Sequence, residues 1–323
     1  MNALAAFRPR GLTWVALRVH RSALLVCLGL TLGAAAGLIW LHGLGRQAAV
    51  ENHSCEWPPR DGTPACEPLD AFSSPGHDFT HHMSLASTVI AWLPLAVALY
   101  AGGVLIGREL ERGTAALAWA QSGTPARWLA SKLLPAALLI TTCMTLLSLL
   151  YRWPRSAGAD ALGSAWYADE VFRALGPSAQ AHALLALAAG AFAGLVLRRA
   201  LPAAGLALGI TASAAFLAER YRELLWPAAR RTVLGSYPGM PGSWWQLESA
   251  WVTGTGQLVT GPCRDATGAV IRCRPPGGIA GRYEVYHPAS HFWPLQLVES
   301  GLVLATAALL TVAAFRMVRR RHG

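Results

Sequence analysis

The sequence predicts an all-α integral membrane protein with six transmembrane helices, and three observations carry that reading. Of 323 residues, 54% are hydrophobic and only 14% charged, with a mean hydropathy of +0.36; a soluble domain carries roughly 25% charged residues. The deficit is concentrated in apolar runs. Five without charge cover about 22–44, 84–106, 133–151, 178–197 and 200–218, and a sixth, 294–315, holds one acid, Glu299. Each approaches the ~20 residues a helix needs to cross ~30 Å of hydrocarbon, where only helical backbone pairs all its polar groups. Finally, the remaining charge is sorted by side. With the N-terminus cytoplasmic, the inner segments carry fourteen positive residues against two acids, and the outer ones thirteen arginines against fourteen acids. Positive charge inside is the expected asymmetry.

Each element follows in order. Residues 9–21 begin with Pro9, a favourable first helical residue. They alternate Leu12, Trp14, Val15, Leu17 and Val19 with Arg18, His20 and Arg21, which suits an interfacial helix ahead of span one. Arg18 and Arg21 before an apolar run, with Ala34-Ala35-Ala36 as a cleavage site, have the outline of a signal peptide. The run continues to Leu44, longer than a signal core, so it is expected to remain as a span. An acidic, proline-rich outer loop covers about 45–83, an inner link 107–132, and a weakly patterned outer loop 152–177. Arg198-Arg199 joins spans four and five and marks the inner side most clearly.

The large last outer loop, 219–293, begins with Arg220, Arg222, Arg230 and Arg231, against the charge rule, which loops of this length largely escape. It contains a predicted hairpin of Gln257–Thr260 with Ala269–Arg272. Glycines four apart (Gly29, Gly33 and Gly37; Gly190 and Gly194; Gly205 and Gly209) predict close helix packing, with a dimer seam as one use. The four cysteines outside the spans fall as Cys55 with Cys66 and Cys263 with Cys273, on the expected outer side. Near neighbours in an oxidising compartment predict two local disulfides.

Several chemistries are excluded. The one lysine, Lys132, sits in Ser131-Lys132-Leu133, so the Gly-Lys-Ser/Thr of a phosphate-cradling loop is missing. His-Glu-x-x-His and Gly-x-Ser-x-Gly are also missing, and the spans contain no aspartate. No enzymatic activity is expected of this chain. The groups His77, His81, His82 and His287, His291 contain i, i+4 pairs, a spacing that holds metal on a helix. Both lie near the interface, where histidine is common, and no metal site is expected. The net charge of +10 reports topology, with no nucleic-acid partner expected.

The inner link is the most informative segment. It leaves the membrane as Arg108-Glu109-Leu110-Glu111-Arg112, breaks at Gly113, restarts at Thr114 as a helix cap, and breaks again at Gly123–Pro125. That is a short helix held at the inner face, either a connector or a point where force is applied. The stretch Glu109-x-Glu111-x-Gly113-Thr114, then Leu117-Ala118-Trp119-x-Gln121-Ser122, then Arg127-Trp128-Leu129-x-x-Lys132 resembles ABC-2-type exporter permeases, particularly of the actinobacterial type. Leu12-Thr13-Trp14 resembles that family's elbow helix. His287-Pro288-Ala289-Ser290-His291-Phe292-Trp293-Pro294-Leu295-Gln296 with Glu299 resembles the start of its last span. Ala120 and Gly123 depart from residues common in the family.

The resemblance implies a coupling helix in 107–132 seated on a separate ATPase subunit. Glu109, Glu111, Arg112, Gly113, Thr114, Gln121 and Ser122 would form the joint. It also implies a second permease subunit, most simply an identical copy, in the cell membrane with both termini cytoplasmic. This chain would need no cofactor, with ATP and Mg bound by the ATPase. Export of a hydrophobic or amphipathic substrate follows from the family; the alternative is a membrane anchor or sensor whose outer loop binds a ligand. Glu299, with Gln296 nearby, is expected either to latch onto an outer-loop arginine or to line the pathway, since a buried acid needs a partner or water.

Overall fold

The computed structural model describes residues 21–54, 75–114, 124–155, 165–260, 263–264, 270–271 and 278–322. The interfacial helix expected at 9–21 lies almost wholly outside them. So do the short helix after Thr114, Gln121, Ser122, Cys55, Cys66 and Cys273. Helix α1 spans Arg21–Ser54 and α2 spans Pro75–Leu99. Helix α2 continues through a π-helical stretch, Tyr100–Gly107, into a last α-turn, Arg108–Glu111. Helices α3 (Pro125–Arg155), α4 (Asp169–Leu175), α5 (Ser178–Leu197), α6 (Ala200–Tyr221) and α7 (Phe292–His322) complete the bundle.

Among the described residues, five helices are long and apolar enough to cross a membrane: Gly76–Glu111, Pro125–Arg155, Ser178–Leu197, Ala200–Leu224 and Ala289–Arg320. Helix α1, expected as the first span, is not among those five. At ~1.5 Å per residue its 34 residues run ~51 Å, well beyond residue 44, where the apolar run stops.

Helix α5 is the hub. Its span is 72% buried, against 17% for α6 and 22% for α7. Alanine and glycine let neighbours approach closely: Ala179, Ala183, Ala186, Ala189, Ala191 and Ala193 are fully enclosed. A methyl group added at Gly190 would fall 2.5 Å from Ala101 Cβ, and one at Gly194 2.7 Å from Ile106 Cγ2. On the other side of the π-helical stretch, a Cβ at Gly102 would meet the Ala203 carbonyl of α6 at 2.7 Å. The π segment is therefore wedged between α5 and α6, with almost no side chain between the backbones. The other glycine series behave differently. No neighbouring atom lies within 4 Å of a Cβ built at Gly29, Gly33, Gly37, Gly205 or Gly209. The spacing alone predicted close packing for all three series, but among the described residues only α5 uses it.

Between α6 and α7 the chain forms strands β1 (Ala229–Leu234), β2 (Trp245–Thr253), β3 (Leu258–Val259), β4 (Cys263–Arg264), β5 (Val270–Ile271) and β6 (Ile279–His287). An antiparallel sheet has the order β1-β6-β2-β3, with β4-β5 as a separate pair. The expected hairpin is thus corrected: Val270 and Ile271 pair with Arg264 and Cys263, while Leu258 and Val259 pair with Val252 and Trp251. Two short strands so close to several turns have little to fix their register. The longer β2 and β6, half-buried on one face, were not foreseen. Buried Glu284 holds the sheet's centre. It accepts a bond from Arg231 Nε at 2.6 Å and contacts Arg282 and Tyr237. The Arg231 guanidinium lies over Trp244 (4.6 Å) and Arg282 over Trp251 (4.8 Å), contacts that add cation–π attraction.

Candidate functional site

Two polar sites interrupt the apolar bundle, one at each end. At the sheet end, Glu299 and its partner Arg222 tie together four segments, α4, α5, the turn ending α6, and α7, where Glu299 lies one turn past Gln296. Both are essentially unexposed. Glu299 Oε2 accepts from Arg222 Nε at 2.9 Å, and Oε1 accepts from the Ser178 hydroxyl at the start of α5. Arg222 sits in the 3-10 turn Arg222–Leu224 that ends α6. It also pairs with Asp169 of α4, and its guanidinium covers the Phe172 ring at 4.1 Å. Arg173 of α4 reaches Glu219 of α6 at 2.6 Å. A buried charge is tolerated only when paired and hydrogen-bonded, and Glu299 meets both conditions through α5 and the turn ending α6.

Gln296 ties the same helices through backbone. Its Oε1 accepts from the Ser178 N–H at 3.2 Å, an otherwise unpartnered donor of the first turn of α5; its Nε2 donates to the Phe172 carbonyl. Gly176, between α4 and α5, makes room: a Cβ there would fall 2.3 Å from the Gln296 amide. The last carbonyl of α4, on Leu175, is capped from α3 by Arg152, whose guanidinium also lies 5.1 Å from the Trp293 ring. The segment joining β6 to α7 is locked as well. His287 Nε2 bonds the Glu223 carbonyl at 3.1 Å, and His287 Nδ1 lies 2.9 Å from His291 Nδ1. Burial lowers the His287 pKa below its ordinary value, since the charged ring loses solvation. His287 ends a strand and His291 lies in a 3-10 turn, so this pair shares no helix. Among the described residues, no group of three or more metal-ligating side chains forms.

At the opposite end, the two acids of the inner link bond within the chain. Glu109 pairs with Lys132 on the first turns of α3, and its carbonyl accepts from the Thr114 hydroxyl at 3.2 Å. Glu111 Oε2 accepts from the Ala200 N–H at 2.9 Å, the first turn of α6. That helix has no side-chain cap of its own from Arg199, so a carboxylate from the link takes the position and faces the positive end of the helix dipole. Helix α5 ends immediately before, with Arg198 in the left-handed region (φ 53°) and its N–H bonded to Gly194. Arg112, Gly113 and Thr114 are exposed at the tip, where Gly113 takes φ 71°.

The sequence marked Glu299, Gln296, Glu109 and Glu111. It had no signal for Ser178 or Ala200 as their partners, nor for Asp169 beside Arg222, which was one of several arginines in its loop. A family model described as ABC-2 membrane transporter related matches residues 28–222. No curated protein and no solved structure matches the chain. The matched region takes in the inner link, the glycine-packed hub and Arg222, well over half of the chain, and the chain belongs to the ABC-2 membrane transporter related family.

Proposed function

We propose that this protein is the membrane-spanning subunit of an ATP-driven exporter. A separate ATPase supplies the hydrolysis, binding ATP and Mg, and a second permease subunit, an identical copy, completes the pathway. In this reading α1 is the sixth crossing, both termini are cytoplasmic, and a hydrophobic or amphipathic substrate moves outward across the cell membrane. Cys55–Cys66 and Cys263–Cys273 are disulfides on the outer side. The family match supports the assignment, and the observation that carries the coupling is the strapping of the inner link. Glu109 reaches α3 and Glu111 reaches α6, so a push on the exposed tip Arg112–Thr114 acts on α2, α3 and α6 together. Glu109 and Glu111 therefore serve as straps, while Arg112, Gly113, Thr114, Gln121 and Ser122 form the surface offered to the ATPase.

Proteoliposomes holding the permease and its ATPase test this. Wild-type protein is expected to couple ATP hydrolysis to movement of an amphipathic dye. Glu111→Ala is expected to keep the ATPase bound while lowering transport per ATP severalfold. If no ATPase binds the purified chain, and Glu111→Ala and Gly113→Val leave dye movement unchanged, the reading fails.

A further inference from the structure

A groove of about 780 Å³ runs between α6 and α7 over Leu185 of α5, from Tyr221 and Leu225 beside the sheet to Gly205. Small-molecule pockets hold ~300–1,000 Å³. We propose that this groove holds one acyl chain of an anionic phospholipid whose phosphate rests against Arg220. Its lining is mostly aliphatic, with hydroxyls from Ser213, Tyr221 and Thr306. Glu299 reaches it, but both carboxylate oxygens are already bonded, to Arg222 and Ser178. Thr306 donates its hydroxyl to the Leu302 carbonyl of its own helix.

The floor is open where Gly205 and Gly209 lack side chains: no neighbouring atom lies within 4 Å of a Cβ built at either. The same spacing on α5 admits a packed helix, so on α6 it leaves a slot that none of the described residues fills. From Gly205 to Tyr221 the slot runs ~24 Å at 1.5 Å per residue, most of the ~30 Å hydrocarbon thickness. That matches an extended lipid tail entering from the sheet side.

Charge at the mouth selects the headgroup. The Arg220 guanidinium lies 5.9 Å from the centre of the Tyr221 ring, a groove residue. Arg220 is exposed and forms no ion pair among the described residues; Glu219 beside it is taken by Arg173, and Arg222 by Glu299 and Asp169. An unpaired arginine next to a half-exposed tyrosine is a fitting contact for a phosphate at the membrane interface.

The experiment is photocrosslinking in nanodiscs of equal dioleoyl phosphatidylglycerol and dioleoyl phosphatidylcholine, with p-benzoylphenylalanine at Ile210 in the groove or at the exposed Leu138 of α3 outside it. Intact mass identifies each adduct. At position 210 the phosphatidylglycerol adduct is expected to exceed the phosphatidylcholine adduct about fivefold, the bias one interfacial arginine gives toward anionic lipid. Position 138 should give the two in equal amounts. Arg220→Gln should remove the bias at 210, and Gly209→Leu should reduce total adduct there. Equal lipid adducts at both positions in the wild-type protein would mean ordinary surrounding lipid. A cross-link from 210 to a second copy of the chain would mean that a subunit covers the groove. Either result overturns the proposal.

Discussion

Deleting one member of a buried ion pair leaves the other's charge without water or partner, at a typical cost of 3–5 kcal/mol. Arg222 and Glu299 are each about 1% exposed, so Arg222→Ala is expected to lower the melting temperature in detergent by well over 5 °C and to reduce monodisperse yield. Arg222→Met combined with Glu299→Leu should recover more than half of that loss, since replacing both members removes the uncompensated charge. Additive losses in the double variant would show that the pair does not act as a unit. His287 gives a pH dependence. Its folded pKa is lowered, so the native state keeps it neutral while the unfolded chain takes up a proton below ~6.5. Its contribution is fully present above that pH and is lost as pH falls toward the folded pKa. Thermal scans from pH 7.5 to 5 should show a decline that His287→Gln flattens; an unchanged slope in the variant would remove His287 from the account.

At the scale of elements, the same residue type has opposite consequences on adjacent helices. Gly190 touches Ala101 and the Gly102 backbone, which cannot move without parting α5 from the π-helical stretch. Gly190→Ala is expected to cost 1–3 kcal/mol through overpacking. Gly205→Ala meets nothing within 4 Å and is expected to be neutral or to stabilise α6 by up to ~1 kcal/mol through helix propensity. Denaturation midpoints of the two variants check this, and equal effects would contradict the packing described. The π-helical stretch lies inside this squeeze. Eight residues is long for such a segment, which usually amounts to one turn near a functional site. It ends at the inner link, where a change of helical pitch would rotate Glu109 and Glu111 relative to α3 and α6. Periodicity in the sequence could place a helix here but not its pitch, because the pitch answers to neighbours on both sides.

For the whole molecule, the proposed topology puts the inner link, the Arg198–Arg199 turn and both termini on one side, and the sheet on the other. With cysteines introduced singly at Arg199 and Gly242, an impermeant maleimide applied to intact cells should label position 242 and reach 199 only after lysis. Labelling of both from outside would overturn the arrangement. The five long apolar helices were legible in the sequence, since hydropathy is a property of composition over ~20 residues. Less legible was the loop at 219–293, where two-residue strands and turns competed and longer β2 and β6 went unrecognised.

By itself the sequence determined that the chain belongs in a membrane and that Glu299 needs a partner. Each of these follows from the cost of placing charge or unpaired backbone in hydrocarbon. Only the tertiary structure decided which partner each residue takes. Glu299 meets Arg222 across 77 positions and Glu111 meets Ala200 across 89. It also decided which glycines are filled by a neighbour and which stand open. Such pairings depend on how helices settle against α5, and packing between distant segments leaves no mark in local composition.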